Sequence, residues 1–463
     1  MVPAPLLLAS NRGPLSFHDG SPDPVRGAGG LVSAVGGAAR GALWICAALT
    51  DADRRAAKVT GGSVAPGVLM LDVDPVTFDR AYNGVANATL WFVAHLLYDT
   101  ASAPVFDSRS AREWQAYRAY DDAFAAALAS SAAPGATVLV QDYHLSLVPR
   151  QLRDRRPDLR IGHFSHTPWA PPEYFCLLPD DIAREVLLGM LGADAVGFHS
   201  PRWADAFVRC CAQVLGARVT ASSVTHDGRT TRVSVHPLGI DAGELRARAA
   251  EPDVQSRLPG LRELVGDRQL LLRIDRTELS KNIVRGLEAY RELLRTRPEW
   301  HRRVVHLALA YPSRHDLPVY REYTAAVQRV AREINEQYAV GDWLPVHLEV
   351  RDDYPRSLAA YALADVLLVN PVRDGMNLVA KEGPVLSARG VSLVLSRHAG
   401  AADELGADAH LVNPFDVTQT AAALHEALST PAGPRRERST RLAAAATALP
   451  PTAWLQAQLA ALH

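Results

Sequence analysis

The sequence predicts an α/β protein with two Rossmann-like doubly wound domains that face each other across a cleft. The chain has 463 residues, which is long for one domain because ~150 residues per domain is typical. Short apolar runs alternate with longer stretches of helical period, a pattern typical of parallel sheets with helical crossovers. This alternation occurs on both sides of a charged segment that begins after Gly239. Two successive α/β domains account for all three observations.

The predicted strands form two series. The first comprises residues 6–9, 43–46, 68–73, 137–141, 161–165, 193–198 and 232–236. The second comprises residues 269–274, 304–310, 346–350, 366–370, 391–395 and 410–412. In the first half, residues 111–130 place large apolar side chains near one face of a helix. We therefore expect domains at residues 1–242 and 243–435. A helical tail at 436–463 is expected to pack back on the first domain.

Composition excludes several classes of protein. Lys and Arg number 49 against 50 Asp and Glu, a formal net charge of −1, which argues against broad nucleic-acid binding. The cysteines lack zinc-ligand spacing. No metal cofactor is expected, although Mg²⁺ could assist loading of a diphosphate. The sequence has no signal peptide and no ~18-residue apolar span, which predicts a soluble, cytoplasmic protein without a membrane partner. The sequence allows a homo-oligomer but does not determine the oligomeric state.

Two segments of the first half carry glycines or a cation beside predicted strands. Arg12 follows the first strand within Ser-Asn-Arg-Gly-Pro, and Gly29 and Gly30 precede a helix-like run. Glycines at such a junction let backbone amides approach a phosphate, which a neighbouring arginine can bind through two hydrogen bonds. A glycine-rich surface turn explains the same residues equally well, so both interpretations stay open.

An aromatic pair and two strand-ending residues are further candidates in the first half. Tyr82 and Trp91 could stack on a sugar ring, although such a pair is more often part of a core. Asp142 could accept hydrogen bonds from sugar hydroxyls, or it could cap the following helix. His166 also ends a predicted strand, and its local sequence does not decide between a structural and a binding role.

The second half carries a sharper pattern. Arg276 and Lys281 follow a predicted strand, so both could reach one diphosphate and neutralise a leaving group. Arg314 also follows an apolar strand. Residues 373–382 read Arg-Asp-Gly-Met-Asn-Leu-Val-Ala-Lys-Glu after another buried strand. Backbone amides that open a helix there would bind a diphosphate, while Glu382 would reach ribose hydroxyls. The pattern predicts a nucleotide-sugar site.

These motifs resemble the trehalose-6-phosphate synthase family of retaining glucosyltransferases, which have the GT-B fold. The matching segments are Ser-Asn-Arg-Gly-Pro at 10–14, Gln-Asp-Tyr-His-Leu at 141–145, Ser-His-Thr-Pro-Trp at 165–169, Pro-Ser-Arg at 312–314, residues 373–382 and Leu-Val-Asn-Pro-Phe-Asp at 411–416. The resemblance implies glucosyl transfer from a nucleoside-diphosphate glucose to glucose 6-phosphate. The product would be trehalose 6-phosphate with retained configuration.

The resemblance also implies roles for individual residues. The implied acceptor-binding positions are Arg12, Gly29, Gly30, Trp44, Tyr82, Trp91, Asp142 and Arg314. The implied donor-binding positions are Gly375, Met376, Asn377, Leu378, Val379 and Glu382. The positions implied in catalysis are Arg276 and Lys281 at the diphosphate, His166 at the donor glucose 6-hydroxyl, and Asp374 at the donor glucose.

Two departures from the family pattern bear on the donor. The family segment Arg-Leu-Asp-Tyr-x-Lys-Gly is here Arg-Thr-Glu-Leu-Ser-Lys-Asn at residues 276–282. This variant resembles an actinomycete branch and favours GDP-glucose over UDP-glucose. The family's Tyr-Val is replaced by Gly383-Pro384. A proline there should kink or end the helix unless it lies in the first turn.

The expected chemistry is front-face substitution. Retention through a covalent intermediate needs a carboxylate nucleophile, and the family assigns Asp374, the one carboxylate expected near the donor sugar, a binding role. Two alternatives remain. A pseudo-glycosyltransferase that couples cyclitols would form no trehalose 6-phosphate. A non-catalytic sugar-phosphate sensor would bind glucose 6-phosphate but no nucleotide sugar. The intact acceptor and donor motifs favour the glucosyltransferase over both alternatives.

Overall fold

The chain folds into two units in the computed structural model, which describes residues 3–18, 24–26 and 41–462. One unit comprises Met1–Leu238 and Pro451–His463, and the other comprises Gly239–Pro450. The boundary expected after residue 242 falls at the start of helix Ala242–Ala249. The expected tail is divided, because helix Ala432–Ala446 belongs to the second unit whereas helix Pro451–Ala460 belongs to the first.

The first unit is built on a mixed sheet with a parallel centre. Its strands, in chain order from β1 to β12, are Ala4–Ala9, Leu15–Ser16, Val25–Arg26, Leu43–Ala47, Ser63–Ala65, Val68–Leu71, Ala132–Gln141, Arg160–Ser165, Ala195–Phe198, Arg218–Thr220, Ser223–His226 and Arg229–Val235. The sheet order is β10-β11-β12-β9-β8-β7-β1-β4-β6-β5, while β2 pairs with β3. From β12 to β6 all neighbours are parallel. The first predicted series matches these parallel strands.

Helices surround the sheet of the first unit. The α-helices are Asp51–Thr60, Pro75–Asp79, Trp91–His95, Ser108–Ser131, Val148–Arg155, Pro172–Phe175, Asp180–Met190, Pro201–Leu215 and Pro451–Ala460. A π-helix spans Arg80–Leu90, and a 3₁₀ turn spans Tyr143–Leu145. The long helix predicted at 111–130 is confirmed, and its buried face carries the large apolar side chains expected there.

The second unit has a parallel sheet in the strand order of a dinucleotide-binding fold. Its strands, β13 to β18, are Gln269–Arg276, Val304–Tyr311, Val346–Val350, Val366–Val369, Ser392–Ser396 and His410–Val412. The order is β15-β14-β13-β16-β17-β18, and every neighbouring pair is parallel. Apolar clusters cover both faces of this sheet, as expected for a doubly wound domain.

The helices of the second unit connect these strands. The α-helices are Ala242–Ala249, Pro252–Gln255, Leu258–Val265, Ile283–Thr296, Pro318–Tyr338, Tyr354–Leu363, Val379–Leu386, Ala402–Leu405, Val417–Ser429 and Ala432–Ala446. Short 3₁₀ turns span Leu279–Lys281 and Pro298–Trp300. Of the helices in the described part of the chain, none is long and apolar enough to cross a membrane.

Each unit has a topological switch point, where ligands of doubly wound sheets bind. In the first unit the chain reverses its direction of winding between β1 and β7, which are hydrogen-bonded neighbours. In the second unit the reversal falls between β13 and β16. The residues that follow these four strands are therefore the first to inspect for function.

His306 on β14 should make the fold sensitive to acid. Its side chain is fully buried, and neither ring nitrogen has a hydrogen-bond partner among the described residues. Burial, followed by repulsion from Arg273, lowers the pKa of His306 to about 3. The unfolded chain therefore takes up this proton first as the pH falls below ~6.5, and folding loses about 2 kcal/mol by pH 5. We expect urea unfolding to show this loss.

A variant comparison isolates the contribution of His306. His306→Leu is expected to lose ~2 kcal/mol less than the parent protein between pH 7 and pH 5, because it removes the group that takes up the proton. His315→Gln on an exposed loop serves as the control and should keep the parental pH dependence. An unchanged pH dependence in His306→Leu would show that His306 does not titrate in this way.

Candidate functional site

In the first unit, Arg12 and Tyr82 lie together although they are distant in sequence. Arg12 is exposed in the loop after β1, and its Nη2 donates to the Tyr82 hydroxyl at 3.4 Å. Tyr82 lies on the π-helix Arg80–Leu90, between the rings of Phe78 at 5.2 Å and His144 at 5.7 Å. Arg12 and Tyr82, two of the three residues predicted to bind the acceptor phosphate, are therefore neighbours. Gly29 and Gly30 lie outside the described residues.

The two predicted tryptophans are buried. Trp44 lies on β4 with 5% of its surface exposed, and its Nε1 donates to the Ser10 hydroxyl at 2.7 Å. That hydroxyl in turn donates to the Arg12 carbonyl at 2.6 Å, so Trp44 helps to fix the loop that carries Arg12. Trp91 is 7% exposed and contacts the Tyr143 ring at 5.6 Å. Both side chains are chiefly core residues that position their neighbours.

Asp142, directly after β7, has a strained backbone. Its φ of 73° and ψ of 170° lie in a region that only glycine adopts readily, at a cost of ~1–3 kcal/mol. The conformation is held by hydrogen bonds, because the Asp142 amide donates to the Phe164 carbonyl at 2.7 Å. Asp142 Oδ1 also accepts from the His166 amide at 3.0 Å. Such strain occurs mainly at functional sites, which favours a binding role for Asp142.

The His166 ring is enclosed by protein groups. Its Nε2 lies 2.9 Å from Gln141 Oε1, and its Nδ1 lies 3.1 Å from His199 Nε2. The indole ring of Trp454, from helix Pro451–Ala460, lies 5.6 Å away. Burial, followed by repulsion from His199 and then His163, holds the pKa of His166 well below its ordinary value. His166 is therefore neutral near pH 7, and a hydroxyl ligand at Nε2 would have to displace Gln141.

In the second unit, Lys281 and Asp374 form an ion pair at the switch point. Lys281 Nζ lies 2.6 Å from Asp374 Oδ2, and both side chains are mostly buried. Asp374 Oδ2 also accepts from Asn377 Nδ2 at 3.1 Å. Burial opposes the ammonium charge, but Asp374 and Asp275 outweigh it and raise the pKa of Lys281. A charged ammonium is thus held where β13 and β16 end.

The segment 374–377 is fixed by a neighbouring loop. The Asp374 carbonyl accepts from the Gly400 amide at 3.0 Å, and a Cβ on Gly400 would lie only 2.0 Å from the Gly375 carbonyl oxygen. The Met376 side chain is part of the core, so only its backbone is available to a ligand. Asn377 has a φ of 86°, and its Oδ1 accepts from the Ala380 amide at 3.1 Å. Asn377 therefore both turns the chain and caps the next helix.

Helix Val379–Leu386 carries Glu382 and contains Pro384. Glu382 Oε2 accepts from the Tyr361 hydroxyl at 2.9 Å, and burial raises the pKa of Glu382. The helix continues through Pro384 and ends two residues later, at Leu386, so the expected end of the helix at the proline does not occur. Glu382 itself remains helical. The predicted donor residues Leu378 and Val379 are half-buried at the start of this helix.

Arg276 and Arg314 meet at a carboxylate that the motifs did not single out. The Arg276 side chain is 49% exposed and lies 3.1 Å from Glu278 Oε1. The Arg314 side chain is 9% exposed and lies 3.6 Å from the same oxygen. Arg314 also donates to the Tyr320 hydroxyl at 2.8 Å. Arg276 and Arg314, which were predicted to bind different substrates, thus contact the same carboxylate within the second unit.

Sequence reasoning missed several residues that contact the predicted ones. Glu278 and Gln141 stand near predicted residues in the chain, so a position at or just after the end of a strand was a usable signal for both. Tyr361 and Trp454 lie in helices far from their partners in sequence, and nothing in their local pattern indicates a functional contact. Among the described residues, no group of three or more His, Cys, Asp or Glu side chains could hold a metal ion.

Two doubly wound units, one with a lysine–carboxylate pair and an arginine at its switch point, are the architecture expected of a glycosyltransferase of the GT-B class. The sequence model of the family described as glycosyltransferase family 20 matches residues 21–463. The chain belongs to glycosyltransferase family 20, which confirms the predicted family and the predicted GT-B fold.

Relatives agree with this assignment. A bifunctional trehalose-6-phosphate synthase/phosphatase of Thermoproteus tenax is 38% identical over 351 residues, 75% of this chain and 47% of that protein. This chain thus spans about half the length of that relative. An alpha,alpha-trehalose-phosphate synthase (UDP-forming) of Emericella nidulans is 32% identical over 437 residues, 92% of this chain and 85% of that protein.

A solved structure of similar fold carries a ligand. It is an alpha,alpha-trehalose-phosphate synthase (UDP-forming) from Burkholderia xenovorans in complex with glucose-6-phosphate. The two chains are 26% identical, and the match covers 99% of this chain and 100% of that one with a TM-score of 0.86.

Proposed function

We propose that this protein transfers glucose from a nucleoside-diphosphate glucose to glucose 6-phosphate, forming trehalose 6-phosphate with retained configuration. The observation that carries the proposal is the Lys281–Asp374 ion pair of 2.6 Å at the switch point of the second unit. The names of the relatives, which describe trehalose-phosphate synthases, support the same reaction.

The donor is assigned to the second unit. Lys281 and the half-exposed Arg276 supply positive charge for a diphosphate, as developing leaving-group charge requires. The backbone amides of residues 375–379 precede or open a helix, where partial positive charge favours an anion or a hydroxyl oxygen. Glu382, with one carboxylate oxygen held by Tyr361, would accept hydrogen bonds from ribose hydroxyls.

The acceptor phosphate is assigned to the paired Arg12 and Tyr82 together with Arg314. A guanidinium and a phenol hydroxyl at 3.4 Å offer several donors to one phosphate. Asp142 would orient the acceptor hydroxyl, and its strained backbone is consistent with that role. His166 would contact the donor glucose 6-hydroxyl as a neutral imidazole, in exchange for Gln141.

The proposed chemical step is a front-face substitution. The bond from the anomeric carbon to the β-phosphate oxygen breaks, and the acceptor hydroxyl bonds to that carbon on the same face. Its proton passes to the departing β-phosphate oxygen, so the products are trehalose 6-phosphate and a nucleoside diphosphate. Asp374 is engaged by Lys281 and Asn377, which favours a binding role over attack on the sugar. The step as written needs no cofactor, and Mg²⁺ would at most stimulate it.

We propose UDP-glucose as the donor. The segment at residues 276–282 favours GDP-glucose on its resemblance alone, but the relatives offer no support for that preference. The names of the Emericella nidulans relative and of the Burkholderia xenovorans structure read UDP-forming.

Side-by-side kinetics test the proposed function. With glucose 6-phosphate as acceptor, we expect trehalose 6-phosphate from UDP-glucose, with kcat/KM at least ~10-fold above the values for GDP- and ADP-glucose, equal to ~1.4 kcal/mol of discrimination. Higher kcat/KM with GDP-glucose would overturn the donor assignment alone. No trehalose 6-phosphate from any donor would overturn the reaction and favour cyclitol coupling. Calorimetric binding of glucose 6-phosphate without any nucleotide sugar would indicate a sensor. Parallel assays with EDTA and with added Mg²⁺ measure the effect of the metal.

A further inference from the structure

Glu278 is a fully buried carboxylate in the segment after β13. None of its side-chain surface is exposed, and its Oε2 has no hydrogen-bond partner among the described residues. A buried carboxylate is costly unless its charge is compensated. The groups around its other oxygen must therefore account for its presence.

Three groups converge on Glu278 Oε1. The Ser313 hydroxyl donates to it at 2.8 Å, Arg276 Nη1 lies at 3.1 Å, and Arg314 Nη1 lies at 3.6 Å. Burial alone would raise the pKa of Glu278, but the charges of Arg276 and Arg314, with a smaller contribution from Lys281, lower it to about 2. Glu278 is thus an anion that two guanidinium groups share.

The backbone holds the two cation-bearing segments side by side. Arg276 pairs in register with Tyr311 at the ends of β13 and β14. Beyond that point the Thr277 amide donates to the Tyr311 carbonyl at 2.7 Å. Arg314 is further restrained, because its guanidinium lies 5.5 Å from the centre of the Tyr320 ring. The segments therefore present their arginines to the same carboxylate with little freedom.

Stability alone is a weak reason for this arrangement. Buried ion pairs often contribute no more than apolar residues of the same volume, and two guanidinium groups so close together repel each other. Glu278 removes that repulsion while leaving one net positive charge on the cluster. The half-exposed Arg276 can then meet an anion in a defined orientation.

We propose that Glu278 is a positioning residue that holds Arg276 and Arg314 in one orientation and so supports phosphate binding by both. This inference rests on the proposed function, in which Arg276 contacts the donor diphosphate and Arg314 the acceptor phosphate. It predicts that one uncharged substitution weakens binding of two different substrates, although Glu278 contacts neither.

The test is Glu278→Gln, which keeps the size and the Ser313 contact but removes the charge. We expect KM for glucose 6-phosphate and KM for the nucleotide sugar each to rise ~10-fold, since each cation loses a charge-assisted partner. Glu278→Asp should recover at least part of both losses. Glu292→Gln, which replaces a half-buried carboxylate paired with the exposed Arg295 on helix Ile283–Thr296, is the control and should leave both constants unchanged.

Further measurements separate positioning from a purely structural role. Glu278→Gln with parental KM values and only a lower Tm would overturn the proposal. If that variant does not fold, Ser313→Ala replaces it, with an expected ~3-fold rise in both KM values, and unchanged values would overturn the proposal.

Calorimetry with inorganic pyrophosphate does not depend on turnover. There we expect ~10-fold weaker binding to Glu278→Gln than to the parent. Equal pyrophosphate affinities of the variant and the parent protein, or no binding to the parent, would overturn the positioning role. If the parent protein forms no trehalose 6-phosphate but the ~10-fold difference in pyrophosphate affinity is observed, the result would count against the proposed reaction alone.

Discussion

Replacing Arg276 by alanine is expected to lower kcat at least ~100-fold, because removing one preorganised charge that stabilises a leaving group typically costs that much. Arg276 is the last residue of β13 at the switch point, and its side chain is 49% exposed while Glu278 contacts one of its nitrogens. The charge is therefore oriented yet accessible to a diphosphate. Steady-state turnover at saturating glucose 6-phosphate and nucleotide sugar measures the effect.

Two further variants serve as controls for the effect of Arg276→Ala on kcat. Arg276→Lys keeps the charge without the planar fork and should fall between the parent and the alanine variant. Arg295→Ala removes an exposed arginine paired with Glu292 on helix Ile283–Thr296 and should leave kcat unchanged. Turnover of Arg276→Ala within ~3-fold of the parent would remove Arg276 from the proposed step.

Replacing Trp454 by alanine is expected to lower the free energy of unfolding by ~3–5 kcal/mol, the usual cost of emptying a tryptophan site in a core. The Trp454 side chain is fully buried. Its ring lies 4.9 Å from that of Phe164, and its Nε1 donates to the His236 carbonyl at 2.9 Å. It also contacts the rings of His166 and His199, so turnover should fall with stability. Urea unfolding and kcat on the same preparation measure both effects.

Helix Pro451–Ala460 supplies its own control. Gln456 is exposed on this helix, and Gln456→Ala should change the free energy of unfolding by less than ~0.5 kcal/mol. Trp454→Phe keeps most of the ring and should lose less stability than Trp454→Ala. A Trp454→Ala protein as stable and active as the parent would mean that this helix does not support the His166 region.

Much of the fold could be predicted because parallel strands leave a strong local signal. Buried strands such as Val366–Val369 are continuous apolar runs bounded by polar residues, and each predicted run corresponds to an observed strand. The edge hairpin formed by Arg218–Thr220 and Ser223–His226 was not predicted. Its strands are short and partly exposed, so they carry no periodic apolar pattern.

The candidate site could be predicted only in part. Arg276, Lys281 and Asp374 stand at the end of a strand or a few residues beyond it, and charged residues at that place indicate binding of a phosphate or sugar. The carboxylate shared by Arg276 and Arg314 could not be deduced, since it requires β13 and β14 to be neighbours in register. The contact between Trp454 and His166 joins two residues that are far apart in the sequence, so no local pattern reveals it.

The fold class, the strands and the residues near their ends could be predicted from the amino-acid pattern alone, because apolar periodicity and strand ends are local properties of the chain. Three contacts follow only from the folded arrangement: Lys281 meets Asp374, Glu278 contacts two arginines, and His166 is enclosed by Gln141 and His199. These contacts depend on which strands lie side by side and on how deeply each group is buried. Both arise from non-local packing, which also determines the pKa values of the buried groups.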